Sequence, residues 1–376
     1  MEKLKDWLKK IQDFFTKLNE KMDNEHKKYF IIIFIAGLVV RIVSLWGFLA
    51  FGTGDWNDMN EKVWIALNTY LINGIDPYGQ TYEMPILDII NIENFYQYPP
   101  LSFIIHTPAL LWPGPASYFE VDFMPVFFII HFIMDFYMFY RLWKVKFNGS
   151  AITLWLLAGP LMVLFDFITF ISVPMFFILL AYLNMDKPKR SAFYISCGVS
   201  VYTYLGIPAL FLLTYFIKKQ RWTGIKNFII GAIPAILTIL PFLIWDPKAF
   251  LSDIFMSQGT RVSGNFIHPT YGDSYWWTHL FSIPPYINTI YNLLVDPSIP
   301  LSLPYLTPIL LGIVILFVLY FLIKLYLKPS VDRLIDYSFW TILIFILIAP
   351  SGFLGYMFLP FILLSIKINK NLLKNK

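Results

Sequence analysis

The chain has 376 residues, of which 57% are hydrophobic and 14% are charged, and its formal net charge is +5. This composition excludes an ordinary soluble protein, because soluble domains contain fewer apolar and more charged residues. Its single cysteine, Cys197, excludes intrachain disulfides and cysteine clusters that bind metal. Several apolar runs approach or exceed the roughly 20 residues that a helix needs to cross a bilayer, which predicts an all-α polytopic membrane protein.

The N-terminal residues differ from the rest of the chain. Residues 1–28 are charged and have apolar residues at helical spacing, so we expect a cytoplasmic amphipathic helix on the membrane surface. A helix that binds a soluble partner is the alternative. Residues 29–376 are expected to form the transmembrane domain, in contact with membrane lipids.

The basic residues are distributed unevenly. All of the lysines and arginines lie in six clusters, with the exception of Arg41, Lys62, Lys248 and Arg261. The clusters are residues 3–28, 141–146, 187–190, 218–226, 324–333 and 367–376. By the positive-inside rule, these clusters and both termini are cytoplasmic, and two loops that are rich in acids face outward. The outward loops are residues 52–123 and 246–300, and no nucleic-acid partner is needed to explain the positive charge.

Placing the apolar runs between these clusters predicts about ten transmembrane helices. The expected spans are 29–51, 124–143, two in 151–185 that turn near Asp166, two in 191–217, 225–245, 301–327, 336–350 and 353–368. Residues 101–112 are too few to cross, and a crossing there would move the basic cluster at 141–146 outside. They are therefore predicted to form an interfacial or re-entrant helix that does not cross.

The first outward loop carries two acidic residues at helical spacing, Asp55 and Asp58. On a helix they would share a face just above the membrane. Such a carboxylate can act as a general base toward a hydroxyl, or the pair can bind a divalent cation. Helix capping is the structural alternative.

A series of motifs follows these acids in the first outward loop. They are Gly74-x-x-Pro77-Tyr78, Thr81-Tyr82 and Tyr98-Pro99-Pro100-Leu101. Their order resembles the first loop of GT-C-fold glycosyltransferases that use polyprenyl-phosphate sugars, most closely the first mannosyltransferase of GPI-anchor synthesis and its archaeal and bacterial relatives. The resemblance continues with Asp166, Trp245-Asp246-Pro247 and the segment 355–360.

This resemblance implies a GT-C-like bundle with membrane-parallel helices. It also implies transfer of a hexose, mannose in the closest relatives, from a polyprenyl (dolichyl-type) phosphate to a lipid-linked or glycan acceptor. Asp58, or alternatively Asp55, would be the general base for displacement with inversion. The expected substrate-binding residues are Arg261, His268, His279, Arg41, Tyr78, Tyr98, Asp166, Trp276 and Trp277. The chain departs from the family pattern at Tyr202 and Tyr204, where many relatives have a lysine.

Three ionisable residues lie inside predicted spans. Arg41 is about 18 Å along span one, so its side chain is expected to extend outward to a phosphate or to Asp55 or Asp58. His131 and Asp135 are four residues apart on one helix face, as a mutually satisfying pair or as a functional group. The tryptophans at 276 and 277 stack on sugars or belong to an interfacial belt.

Two other functions compete with glycosyl transfer. A transporter or flippase for lipid-linked or small polar substrates would need polar residues along several spans. A non-catalytic scaffold would leave the outward acids unexplained. Separate substitution of Asp55 and Asp58 distinguishes these functions, because an enzyme would lose transfer while still inserting into the membrane.

Overall fold

The computed structural model describes residues 25–50, 98–111, 124–256, 306–348 and 354–374, together with residue 294 and parts of 63–94. The first long helix is α1 (His26–Ala50). The α-helices of four or more residues that follow it in the described parts are α2 (Leu101–Ile104), α3 (Met124–Lys144), α4 (Asn148–Ile152), α5 (Gly159–Thr169), α6 (Ser172–Leu183), α7 (Pro188–Val199), α8 (Gly206–Trp245), α9 (Pro247–Leu251), α10 (Leu306–Leu327), α11 (Val331–Ile348) and α12 (Phe358–Lys374).

The fold is that of an α-helical membrane protein. Three candidate spans among the described residues are long and apolar enough to cross a bilayer, namely His26–Gly47, Thr203–Trp245 and Ile309–Leu327. Helices α6 and α12 contain shorter apolar segments, Ser172–Leu183 and Phe358–Ile368. Twelve residues of α6 extend about 18 Å, which is less than the roughly 30 Å of a hydrocarbon core. The prediction of about ten full spans therefore goes beyond what these lengths support.

Two sharp breaks in helical geometry lie near positions where the chain was predicted to reverse direction. Between α5 and α6 the chain turns at Phe170, which has a left-handed backbone with φ of 45°. Within α8, Arg221 has φ of 52° and ψ of −131°, so the helix is kinked in the middle of a basic cluster. At this break a side chain on Gly224 would meet the backbone carbonyl of Phe216, so the two arms of α8 approach closely.

The first outward loop contains a feature that the sequence analysis missed. Strands β1 (Tyr82–Ile86) and β2 (Ile90–Asn94) form an antiparallel hairpin in which Tyr82 pairs with Asn94. β2 contains two isoleucines, which suit a pleated strand. The segment predicted to be interfacial forms only the four residues of α2 and a 3₁₀ turn at Thr107–Leu111, which is too short to cross.

Contacts at the helix ends bring the basic clusters together in pairs. The Trp143 indole donates a hydrogen bond of 3.2 Å to Nδ1 of His26, which joins the start of α1 to the end of α3. The Lys218 ammonium lies 4.5 Å from the ring centroid of Tyr326. This contact joins the basic cluster at 218–226 to the one at 324–333. These pairings agree with a shared basic side, and the cytoplasmic orientation of that side stays a prediction.

Helix α1 buries one narrow face and exposes the others. Ile33, Gly37 and Arg41 are four residues apart and all buried, as expected for a stripe that faces a bundle. On the other faces Val43 is 61% exposed and Trp46 is 73% exposed. So much exposed apolar surface on a long helix fits contact with lipid rather than with water.

Gly37 permits the close approach of α1 to the indole of Trp155. An added Cβ would collide with the Trp155 ring and would lie 2.9 Å from its carbonyl oxygen. Gly37→Ala is therefore expected to destabilise the fold by about 1–3 kcal/mol through overpacking. Thermal unfolding in detergent micelles measures this effect.

Gly47→Ala provides the control in the same helix. A Cβ at Gly47 meets no atom within 4 Å, and alanine has the higher helix propensity. This variant should therefore unfold at the wild-type temperature or above it. Equal losses in the two variants would contradict the packing explanation.

Candidate functional site

Most of the residues predicted for catalysis and phosphate binding lie outside the described residues. These are Asp55, Asp58, Arg261, His268, His279, Trp276 and Trp277. The site is therefore built from the residues around them, at the junction of the two outward loops and in the bundle below it. The N-terminal amphipathic helix predicted for residues 1–28 also lies outside the described part, except for its last four residues.

The two tyrosines of the loop motifs are joined to each other. The Tyr78 hydroxyl donates a hydrogen bond of 2.9 Å to the carbonyl oxygen of Tyr98, and both side chains are buried. The Tyr78 ring also packs edge-on against Phe242 and Phe250, with ring centroids 5.4 and 4.8 Å apart. Phe242 belongs to the last turn of α8 and Phe250 to α9, so the first outward loop contacts the start of the second.

Both tyrosines were expected to bind substrate, and the structure gives them packing and bonding contacts within the protein. Tyr78 is 2% exposed and Tyr98 is 5% exposed. A ring this deeply buried contributes by fixing the loop rather than by presenting an open surface. Direct substrate contact by either ring stays a prediction.

Asp76 is a residue at this junction that the sequence analysis did not select. Its Oδ1 accepts a hydrogen bond of 3.0 Å from the backbone N–H of Tyr78, and the side chain is buried. Its Oδ2 has no hydrogen-bond partner within the described structure. Burial, together with the nearby carboxylates of Asp246 and Asp253, raises the pKa of Asp76 above its ordinary value.

A raised carboxyl pKa means that the folded protein favours protonated Asp76. The stability that this group contributes is then present at low pH and is lost as pH rises through the raised pKa. Asp76→Asn keeps an oxygen for the Tyr78 N–H and removes the charge. We therefore expect the variant to unfold at a higher temperature than wild type at neutral pH and at a similar temperature in acid.

Thermal unfolding of the two proteins over a range of pH tests this prediction for Asp76. Asp186→Asn is the matched control, because Asp186 is exposed in the turn between α6 and α7. The control should follow the wild-type curve. A lower unfolding temperature for Asp76→Asn at neutral pH would show that the ionised carboxylate has a partner that stabilises it.

An aromatic cluster joins the motif segments inside the bundle. Tyr202 packs against Tyr98, Phe170 and Tyr204, at centroid distances of 5.2, 5.1 and 4.9 Å. Tyr204 also packs against Tyr356, at 5.2 Å. Tyr202 and Tyr204 are therefore part of the packing that links the Tyr-Pro-Pro motif to the segment 355–360.

Arg41 does not extend outward, so this expectation is wrong in its geometry. Its guanidinium is 3% exposed and forms an ion pair of 3.1 Å with Asp135. It also donates to the carbonyl oxygens of Leu154 and Trp155 and lies 4.0 Å from the Trp155 ring centroid. Residues 153–157 form a π-helical turn, in which carbonyls leave the ordinary α-helical pattern and can accept from the arginine. The Arg41 guanidinium therefore interacts with a carboxylate, two carbonyl oxygens and an aromatic ring, in place of the water that it would contact at the membrane interface.

The polar contacts of Arg41 continue through the bundle as a chain. Asp135 Oδ1 accepts a hydrogen bond of 2.6 Å from the hydroxyl of Ser172, and that hydroxyl also contacts Oδ2 of Asp166. Oδ1 of Asp166 accepts a hydrogen bond of 2.6 Å from the Ser172 N–H and lies 3.7 Å from Nδ1 of His131. Nε2 of His131 lies 3.0 Å from Nε2 of His106.

Two predictions are revised by this chain. Asp166, expected in an outward turn that binds substrate, is 3% exposed and bonds to the start of α6. His131 and Asp135 share a face but bond to different partners rather than to each other. His106, in the segment predicted not to cross the membrane, and Ser172 were not selected from the sequence. A serine gives no sequence signal for a bridge between carboxylates.

The described residues contain no group of three or more histidines, cysteines or acids arranged to hold a metal ion. Comparison of the chain with protein-family models, with curated proteins and with solved structures finds no match. The fold and this site therefore define a class: an α-helical membrane protein whose loop motifs are anchored on a buried aromatic cluster and a buried polar chain.

Proposed function

We propose that this protein is a GT-C-like glycosyltransferase of the membrane. It transfers a hexose, mannose in the first instance, from a polyprenyl-phosphate sugar to a lipid-linked or glycan acceptor on the outward face. Both termini face the cytoplasm in this proposal, and the protein resides in the cell membrane or, in a eukaryote, the endoplasmic reticulum. Asp58 or Asp55 takes the proton of the acceptor hydroxyl.

The observation that carries the proposal is the contact between the two outward loops. Tyr78 of the Gly-x-x-Pro-Tyr motif packs against Phe250, four residues after Asp246 of the Trp-Asp-Pro motif. Residues 63, 66 and 67, which follow the acidic segment, are fully buried. The acid at 58 and the arginine at 261 are each within eight residues of described, packed positions of these two loops. This arrangement favours a shared outward site for the base and the phosphate.

The proposed reaction needs few catalytic groups. A polyprenyl phosphate leaves without protonation, so one carboxylate and a cation that holds the phosphate suffice for displacement with inversion. Arg261 is the proposed phosphate-binding cation, because a guanidinium matches phosphate geometry. His268 and His279 are proposed beside it, and Trp276 and Trp277 would stack on sugar faces.

The test is transfer by the purified protein in lipid. Polyprenyl-phosphate sugars and nucleotide sugars are supplied separately as donors, each with and without a divalent cation. Product from a polyprenyl-phosphate sugar supports the proposal. Product from a nucleotide sugar alone would contradict the donor, and the arms without a cation show whether transfer requires a metal.

The buried polar chain favours a second candidate function, transport or flipping of a lipid-linked or small polar substrate. Ionisable residues inside a membrane bundle commonly line substrate or proton paths, and five of them are connected here from Arg41 to His106. Movement of a polyprenyl-phosphate sugar across vesicle bilayers, without bond cleavage, would support this candidate over the enzyme.

A further inference from the structure

Hydrogen-bond chemistry fixes the direction of the two histidines in the buried polar chain. Nδ1 of His106 lies 2.5 Å from the carbonyl oxygen of Ser102. A carbonyl only accepts, so Nδ1 of His106 must carry a proton. A neutral His106 then offers a lone pair at Nε2, so the facing His131 must donate through its own Nε2–H. Nδ1 of neutral His131 is left as a lone pair that faces Asp166.

The two carboxyl groups require one further proton. The Ser172 hydroxyl contacts both Asp135 and Asp166, but it has only one hydrogen to donate. If both carboxyl groups were ionised, only one could accept the hydrogen of the Ser172 hydroxyl, and the other would face a lone pair of the hydroxyl oxygen. Asp135 is the ionised member, because the guanidinium of Arg41 bonds to it directly.

The same distances locate the proton on the other carboxyl group. Nδ1 of His131 lies 3.7 Å from Asp166, which is beyond hydrogen-bond length, so it does not donate to that carboxylate. Oδ1 of Asp166 accepts from the backbone of Ser172, which leaves Oδ2 to carry the hydrogen toward the Ser172 hydroxyl.

A charge count over the whole cluster agrees. Among the residues that the structure describes, the charged and titratable groups that face one another are Arg41 from α1, His131 and Asp135 from α3, Asp166 from α5 and His106 from the segment after α2. Each is at most 3% exposed. One positive arginine, one negative aspartate and three neutral groups sum to zero, which a buried cluster in a membrane needs.

We propose that Asp166 is held as a neutral carboxylic acid and that Asp166, His131 and His106 form a proton relay primed for one transfer. In the transfer, Asp166 gives its proton to Nδ1 of His131, and His131 gives its Nε2 proton to Nε2 of His106. Asp166 becomes a carboxylate, His131 returns to neutral as the other tautomer, and His106 becomes an imidazolium. The net charge of the chain is unchanged throughout.

The relay connects the bundle to the outward motifs. His106 lies five residues after Leu101, the last residue of the Tyr-Pro-Pro-Leu motif, so the transfer moves positive charge from the α5–α6 turn to that segment. Nδ1 of His131 now faces Oδ1 of Asp166 at 3.7 Å. The step therefore requires the carboxyl group to turn so that its protonated oxygen, Oδ2, faces Nδ1 of His131 at less than about 3.2 Å. The proposal holds whether the protein transfers or transports its substrate.

Infrared spectroscopy tests where the proton resides. Protein in lipid nanodiscs is titrated from acid to alkaline pH, and the C=O band of protonated carboxylic acids is followed. We expect one such band to persist into alkaline pH, to disappear in Asp166→Asn, and to survive in Asp76→Asn and Asp186→Asn. Absence of a persistent band in wild type, or its survival in Asp166→Asn, would overturn the proposal.

Nitrogen NMR of wild-type protein with labelled histidine gives a second measurement that needs no folded variant of the relay acid. His106 is expected as the Nδ1–H tautomer and His131 as the Nε2–H tautomer at neutral pH. Signals are assigned by their loss in His106→Gln and His131→Gln. An imidazolium at His131, or the opposite tautomers at both sites, would contradict the relay.

Discussion

Asp58→Asn is expected to lower the rate of sugar transfer by about 10²- to 10⁴-fold, the range that a positioned general base contributes. The amide has nearly the shape of the carboxylate but cannot accept the acceptor's proton. Insertion and thermal stability should be unchanged, because the residue is predicted in an outward loop. Initial rates with a polyprenyl-phosphate sugar measure the loss, and unfolding temperatures verify the fold.

Asp55→Asn separates the two candidate bases. If Asp58 is the base, Asp55→Asn should lose much less activity than Asp58→Asn, and the reverse order would assign the base to Asp55. Equal, large losses that depend on an added divalent cation would indicate a shared metal site. Asp186→Asn, on an exposed turn between α6 and α7, is the control. Full activity in both loop variants would exclude both residues as the general base.

Lengths and periodicities were well predicted from the sequence. The ends of α1 and α3 differ from the predicted spans by at most three residues, because apolar runs bounded by charge define them directly. The hairpin of β1 and β2 was missed, because each strand has only five residues, and a run this short carries little periodic signal. The break at Arg221 was expected only as a basic loop, whereas the helical pattern continues almost through it.

For the candidate site, the sequence indicated several of the residues but not the contacts that they make. Sequence reasoning selected Arg41, His131 and Asp135 because charge inside a span is costly and conspicuous. It could not give their partners, since these come from helices far apart in sequence, such as α1 with α3 across 94 residues. A helix wheel places Arg41 on a face, but only the packing of α1 against the π-helical turn decides whether its guanidinium turns inward or outward.

Asp135→Ala is expected to destabilise the protein by about 3–5 kcal/mol, the cost of leaving one charge of a buried pair without its partner. Arg41 is 3% exposed, so it cannot recover its hydration without opening the bundle. The Ser172 hydroxyl loses an acceptor at the same time. Thermal unfolding in detergent micelles, and the yield of folded protein, measure the effect.

A double variant shows whether Asp135→Ala loses stability because Arg41 is left buried without a counter-charge or because the ion pair itself stabilises the fold. Replacing both partners by apolar residues of similar size, as in Arg41→Met with Asp135→Leu, removes the buried charges together. We expect this variant to recover most of the stability lost in Asp135→Ala, because two well-packed apolar groups often equal a buried pair. Losses that simply add in the double variant would show that Arg41 and Asp135 act independently. The guanidinium would then be stabilised chiefly by the carbonyls and the ring of Trp155.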